Sequence, residues 1–196
     1  STDKPGKAGN ATGVVLDFPL RTQLDNIRRF LPDAGTVGII YSSGQFHQML
    51  HTAGKTAGEM GLKLEVQRIS GPRELPEALD AIANKADVFL GMNDNVVFTP
   101  ETARHILLFS YRNHIPFIGL SSEWAKAGAL YSLGRDFKSI GAQCGEIALK
   151  VLNGAAVASI PYDVPRIVTY SINMKTAEHM KIRFPEAVVK NASKVY

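Results

Sequence analysis

The sequence is short of several things, and each shortage narrows the range of functions. It has one cysteine, Cys144, in 196 residues, so no disulfide can form within the chain, and a lone thiol leaves the redox compartment open. No apolar run approaches the roughly 18–20 residues of a membrane span. Charge is spread rather than blocked: the net charge is +4, yet the longest basic run is Arg28-Arg29. Without a basic stripe interleaved with aromatics, a nucleic-acid partner is not expected. The signatures GxxxxGK[ST], GxGxxG and GxSxG are absent, and no nucleophile with a partnered base can be named. Of the histidines at 47, 51, 105, 114 and 179, only His47 and His51 have a ligand spacing. No HExxH glutamate lies between them and no third ligand is apparent. Neither a catalytic group, a metal nor a cofactor is expected.

What remains is ordinary globular material, 45% hydrophobic and 20% charged. A domain of this length buries roughly 70% of its unfolded surface. Strand-like runs fall at 12–17, 36–42, 62–69, 86–92, 115–120, 129–133 and 166–173. Helical periodicity lies between most of them. Leu20, Leu24, Ile27 and Leu31 form one apolar stripe, the spacing of a helix with one buried face. Further helices are predicted over 45–60, from Pro72 or Pro76 through Ile82, over 100–113 behind Thr99-Pro100, over 137–152, and from Lys175. Cys144, in line with Ile140 and Ala148, reads as a buried structural thiol. Strands alternating with helices predict an α/β fold, an open parallel sheet flanked by helices in three αβα layers. Short unbroken apolar strands such as Val37-Gly-Ile-Ile-Tyr suit a sheet covered on both faces.

In such a sheet the carboxyl ends of the strands face one crevice, where ligands bind. Polar residues at those ends are therefore the candidate site. Ser42 and Ser43 follow the second strand-like run and open a helix, where hydroxyls and backbone N–H groups suit an anion or simply cap the helix. Asn93 and Asp94 follow the fourth run. Asp94 suits a ligand ammonium, or an Asx-turn leading to the helix after Pro100. Ser121, Ser122 and Trp124 follow the fifth; Trp124 suits stacking on a flat ligand or packing in the core. Asp136 suits a ligand amino group or a helix cap, and Arg135 a carboxylate.

Four ordered blocks carry a resemblance. Asn10-Ala-Thr-Gly-Val through Arg29-Phe-Leu-Pro-Asp-Ala to Thr36-Val-Gly-Ile-Ile-Tyr is the first. Ala86-Asp-Val-Phe through Asn93-Asp-Asn to His114-Ile-Pro-Phe-Ile-Gly is the second. Ala127-Gly-Ala-Leu-Tyr-Ser to Ile140-Gly-Ala-Gln is the third, and Val168 to Ile172-Asn-Met-Lys-Thr-Ala the fourth. Together they resemble the ABC-transporter substrate-binding proteins of the type I periplasmic-binding fold, some of which bind aromatic amino acids. The resemblance implies two α/β lobes closing on a small solute, recognition of the closed form by an ABC permease, and an extracytoplasmic location. No signal peptide is read in this chain. By position the family's ligand contacts fall on Ser42, Ser43, Asn93, Asp94, Ser121, Ser122 and Asp136, while Trp124 and Phe46 favour a flat or apolar ligand.

The resemblance also implies a division of the chain. Residues 1–11 would be a remnant of the first lobe, 12–130 the second lobe, 131–160 a segment returning toward the first lobe, and 161–196 a C-terminal strand and helix. The helix near 137–152 would then expose an apolar face, which invites a homodimer or domain-swapped pair. Two other readings of the residues are a ligand-sensing regulatory domain of the same fold, and an α/β enzyme using Asp94 or Asp136 as base.

Overall fold

The computed structural model describes residues 10–42 and 44–196, excepting the side chains of 44–49, 51 and 52. Seven strands form one sheet: β1 (Thr36–Tyr41), β2 (Lys63–Arg68), β3 (Val88–Leu90), β4 (Phe117–Gly119), β5 (Tyr131–Arg135), β6 (Val168–Ile172) and β7 (Lys194–Val195). Their order is β2-β1-β3-β4-β5-β6-β7. The first five run parallel, with β1 registered on β2 from Thr36↔Lys63 to Tyr41↔Arg68. The predicted parallel sheet has two exceptions: β6 runs antiparallel to β5, from Tyr131↔Ile172 to Arg135↔Val168, and β7 runs parallel to β6. The segments 131–135 and 168–172 are thus strands of the same sheet as β1 to β4.

Side chains alternate between the sheet's faces, and that alternation builds two cores. Val37, Ile39 and Tyr41 of β1, Val88 and Leu90 of β3, and Ile118 of β4 face helices α1 (Leu20–Phe30) and α2 (Gly44–Glu59). Ile40, Phe89 and Phe117 point the other way, toward α3 (Leu75–Ala83) and α4 (Pro100–Asn113), with Trp124 of α5 (Ser122–Ala127) packed alongside. These are the three expected layers. The stripe of α1 is buried as its spacing requires, and Phe30 adds a ring at no exposure. That ring sits 4.6 Å from Tyr131 and 4.7 Å from Tyr170, a cluster that binds α1 to β5 and β6. Arg28, on the same helix, donates to the carbonyls of Met60, Gly61, Pro32 and Ala34. It thereby ties the C-terminal ends of α1 and α2, whose last carbonyls lack helical partners.

Helix boundaries follow local chemistry. The N–H of Thr102 donates to Thr99 Oγ1 at 3.3 Å and the N–H of Thr99 to Thr102 Oγ1 at 2.9 Å, a reciprocal cap at the start of α4. Helix α6 (Phe137–Leu152) follows β5. Asn173 Oδ1 accepts from the N–H of Thr176 at 2.9 Å and caps α7 (Met174–His179). A last helix, α8 (Glu186–Lys190), takes a hydrogen bond from Tyr170 Oη to the Val188 carbonyl at 2.9 Å. The expected strand over 12–17 is not one: only Val14 bridges, in parallel, to Asp163. The backbone pairs there through Val15 N–H to the Asp163 carbonyl and Asp163 N–H to the Gly13 carbonyl, at 2.9 and 2.8 Å. Two segments far apart in the chain, 13–15 and 163, therefore lie side by side.

Helix α6 differs from the others: over its 16 residues only Ile140 and Gln143 are buried. Phe137, Leu149 and Leu152 are 69%, 60% and 81% exposed. Cys144 is exposed as well, contrary to the buried thiol expected from its neighbours: of that line only Ile140 is buried, and Ala148, one turn beyond Cys144, is exposed too. What holds α6 is polar. Gln143 Nε2 donates to Asp163 Oδ2 and the Val164 carbonyl, and its Oε1 accepts from the N–H of Arg166 at 3.1 Å.

Replacing Phe30 by Ala is expected to destabilise the fold by about 3–5 kcal/mol. Urea denaturation measures it. A loss under about 1 kcal/mol would mean that the three-ring cluster does not carry the α1 contact.

Candidate functional site

The site lies at the carboxyl edge of the sheet. Neighbouring strands β1 and β3 leave that edge toward opposite faces, β1 into α2 and β3 toward α4. This divergence is the switch point of an open α/β sheet. Asp94 occupies it, only 4% exposed. Its Oδ2 accepts from the N–H of Ser42 at 2.7 Å, and its carboxylate accepts from Ser42 Oγ at 2.9 Å. Its Oδ1 also accepts from the N–H groups of Val96 and Val97, at 2.9 and 3.1 Å. Burial acts to raise the carboxyl's pKa, but the hydrogen bonds from Ser42, Val96 and Val97 together outweigh it and hold the pKa below the usual value. Asp94 is a carboxylate whose acceptor positions are used within the chain, binding the tip of β1 to the turn after β3. Ser42 and Asp94, both singled out from sequence, do meet, and they meet each other.

Beside this lock a pocket of about 120 Å³ opens. Met92 and Asn93 after β3, Ile118 and Leu120 at β4, and Leu133 and Arg135 on β5 line one side. Asp17, Phe18 and Gln23, from the segment leading into α1 and its first turn, line the other. Asn93 Nδ2 donates to Asp17 Oδ1 at 3.2 Å. Arg135 Nε donates to the Leu16 carbonyl at 2.5 Å, its guanidinium lies 5.4 Å from the centre of the Phe18 ring, and its Nη2 stands 3.8 Å from Asp17 Oδ1.

Ser121, Ser122, Trp124 and Asp136, the remaining described candidates, do not line this pocket. Ser121 precedes α5 without a side-chain capping bond, Ser122 opens it, and both are half-buried. Trp124 lines a separate groove of about 300 Å³ with Phe98 and Leu107, its ring 5.4 Å from Phe117 and 6.2 Å from Phe98. Asp136 Oδ1 accepts from the N–H of Ser139 at 2.9 Å and caps α6. Ser43 lies outside the described residues, as do the side chains of His47, His51 and Phe46. Among the described residues no group of three or more His, Cys, Asp or Glu is placed to hold a metal, and no helix is long and apolar enough to cross a membrane. Sequence reasoning passed over Asp17, Phe18 and Gln23. They belong to a helix-leading segment with no motif, and only the fold sets them against the strand tips.

The model of the family described as ABC transporter substrate binding protein matches residues 1–196. The chain belongs to this family. A tyrosine-binding protein of Clostridioides difficile is 25% identical over 187 residues, 93% of this chain and 53% of that protein. The chain thus spans about half the length of that relative. An ABC domain of Streptococcus pneumoniae, solved in complex with L-Trp, superposes with a TM-score of 0.71 at 26% identity, covering 100% of this chain and 67% of that one. A conserved domain protein of Vibrio cholerae gives a TM-score of 0.73 at 26% identity, over 94% of this chain and 62% of that one. The fold is that of the type I periplasmic-binding proteins, as the sequence blocks implied.

Asp94→Ala leaves the N–H groups of Ser42, Val96 and Val97 without their acceptor and is expected to cost about 2–4 kcal/mol; Asp94→Asn, which keeps one oxygen, should cost less. A lowered pKa in the folded state stabilises fully above the unfolded value of about 4 and ceases to do so as pH falls through the folded value. The stability gap between wild type and Asp94→Asn should therefore narrow below about pH 4. Denaturation curves at several pH values check this, and a gap that widened in acid would contradict the assignment.

Proposed function

We propose that this chain supplies one wall of the solute-binding component of an ABC transporter, and that the solute is an L-amino acid, with aromatic side chains favoured. The observation that carries the reading is the pocket at the switch-point edge, apolar at Met92, Ile118, Leu120 and Leu133 and polar at Asn93, Asp17 and Arg135. An apolar hollow with a few convergent polar groups is the form small-molecule sites take. Family membership supports solute binding. Relatives named for tyrosine and solved with L-Trp support the choice of solute.

At about 120 Å³ the pocket is well below the roughly 300 Å³ at which ligand pockets begin. It suits half of a clamp, whose other wall is a first lobe formed by a further stretch of the protein. In that arrangement 12–130 is the second lobe, which also takes β5 into its sheet, and the rest of 131–160 returns toward the first. The paired crossing segments at Val14 and Asp163 are the hinge about which the lobes close, and a membrane permease recognises the closed form. The open side of α6, with Phe137, Leu149 and Leu152, packs on the first lobe. In the isolated chain a second copy covers it, as a homodimer or a swapped pair. Residues 1–11 would lead out of the first lobe, and 161–196 would complete the sheet. The location is extracytoplasmic, in keeping with the family.

The reading is binding without chemistry. Asp94 is held as a fully hydrogen-bonded carboxylate and Asp136 is a helix cap, so neither is poised as a base. Calorimetric titration of the full-length protein with the L-amino acids and with ribose tests the proposal. Saturable one-to-one binding of L-Tyr or L-Trp is expected, with no heat from ribose. Preference for the sugar, or no amino acid bound, would overturn it.

A further inference from the structure

The pocket's rim carries one cation and one anion, and their relation to each other is informative. Arg135 is fixed from behind. Its Nε is committed to the Leu16 carbonyl at 2.5 Å and its plane lies by the Phe18 ring, 5.4 Å from the ring centre. These contacts orient the guanidinium and leave its terminal nitrogens, among the described residues, with a single ionic contact, to Asp17 Oδ1 at 3.8 Å. That distance is beyond a hydrogen bond. Asp17 is in turn oriented by Asn93 Nδ2 at 3.2 Å while its side chain stays 68% exposed. An ion pair this open adds little to stability. Both groups line the pocket, where their charges lie side by side without a direct hydrogen bond between them.

An apolar hollow flanked by an oriented cation and an oriented anion matches one chemical class, a zwitterion with an apolar side chain. We propose that Arg135 and Asp17 read the ligand's zwitterion, Arg135 taking the α-carboxylate and Asp17 the α-ammonium. The inference rests on the amino-acid reading of the pocket and deepens it, since it assigns each charge of the solute to one residue. A planar guanidinium can grip a carboxylate with two parallel hydrogen bonds, which a lysine could not. Asp17 also sits in the segment that leads out of the Val14–Asp163 crossing. A ligand spanning Asp17 and Arg135 therefore bridges the crossing segment and the sheet, and couples occupancy to the hinge.

The test is calorimetry on the full-length protein with three probes: L-tryptophan, tryptamine, which lacks the carboxylate, and indole-3-propionate, which lacks the ammonium. Each is titrated into wild type, Arg135→Gln and Asp17→Asn. Wild type should favour L-tryptophan over either analogue. Arg135→Gln should weaken L-tryptophan roughly 10- to 100-fold and leave tryptamine unchanged; Asp17→Asn should do the same for L-tryptophan and leave indole-3-propionate unchanged. Arg135→Lys should restore only part of the loss. If wild type binds L-tryptophan while both variants bind it equally well, or lose all probes by one factor, the zwitterion assignment falls and the amino-acid reading stands. If wild type binds neither L-tryptophan nor L-tyrosine, the reading falls and the assignment with it.

Discussion

The carboxylate of Asp94 is the constraint on which the binding edge depends. Where β1 and β3 diverge, the sheet gives no further backbone partners, and the N–H groups of Ser42, Val96 and Val97 would otherwise be unpaired. One buried side chain accepts from all of them. It thereby fixes the position of Asn93, the preceding residue, whose amide reaches across to Asp17. The crevice is thus held open by a charge whose acceptor positions are used within the chain, and the groups that line the pocket stand one step outward from it.

The molecule is closed on two faces and open on a third side. Both faces of the sheet are covered by helices that bury their apolar stripes, whereas α6 stands on Gln143 and Ile140 and leaves Phe137, Leu149 and Leu152 exposed. That unevenness agrees with a chain that spans about half of a tyrosine-binding relative. A half-site of small volume and a helix without a partner have the same origin if a second lobe faces both. The pairing of Val14 with Asp163, which joins two distant parts of the chain outside the sheet, would then lie where the lobes meet.

Much of this architecture was legible in the sequence. Apolar runs such as Val37 to Tyr41 can only be strands buried on both sides, and Leu20, Leu24 and Ile27 can only line one face of a helix. Elements whose stability is borrowed were not legible. Helix α5 is six residues long and β7 two, too short for periodicity to register; α5 packs over the interior strands β4 and β5, and β7 pairs with β6. The run at 12–17 reads like a strand yet finds one bridging partner, since its neighbour is another crossing segment rather than a sheet. The same limit governs the site. Residue types named Ser42, Asn93 and Asp94, but a carboxylate at a strand tip is equally suited to a ligand or to backbone N–H groups, and only the fold decides between them. Trp124 stands apart from the pocket because Gly119, where a Cβ would lie 2.4 Å from the Trp124 Cβ, lets α5 press directly on β4. Asp17 and Phe18 carry no local signal at all; their place in the pocket comes from contact with Arg135, far along the chain.

Native mass spectrometry of the full-length protein as purified tests the central claim most directly, because it reads the retained ligand, its chemical integrity and the oligomeric state together. The account predicts a monomer carrying one adduct with the mass of an amino acid, exchangeable for added L-tryptophan and released unchanged on denaturation. A protein that carries no amino-acid adduct even after incubation with a mixture of them, or that releases a ligand altered in mass, would contradict it.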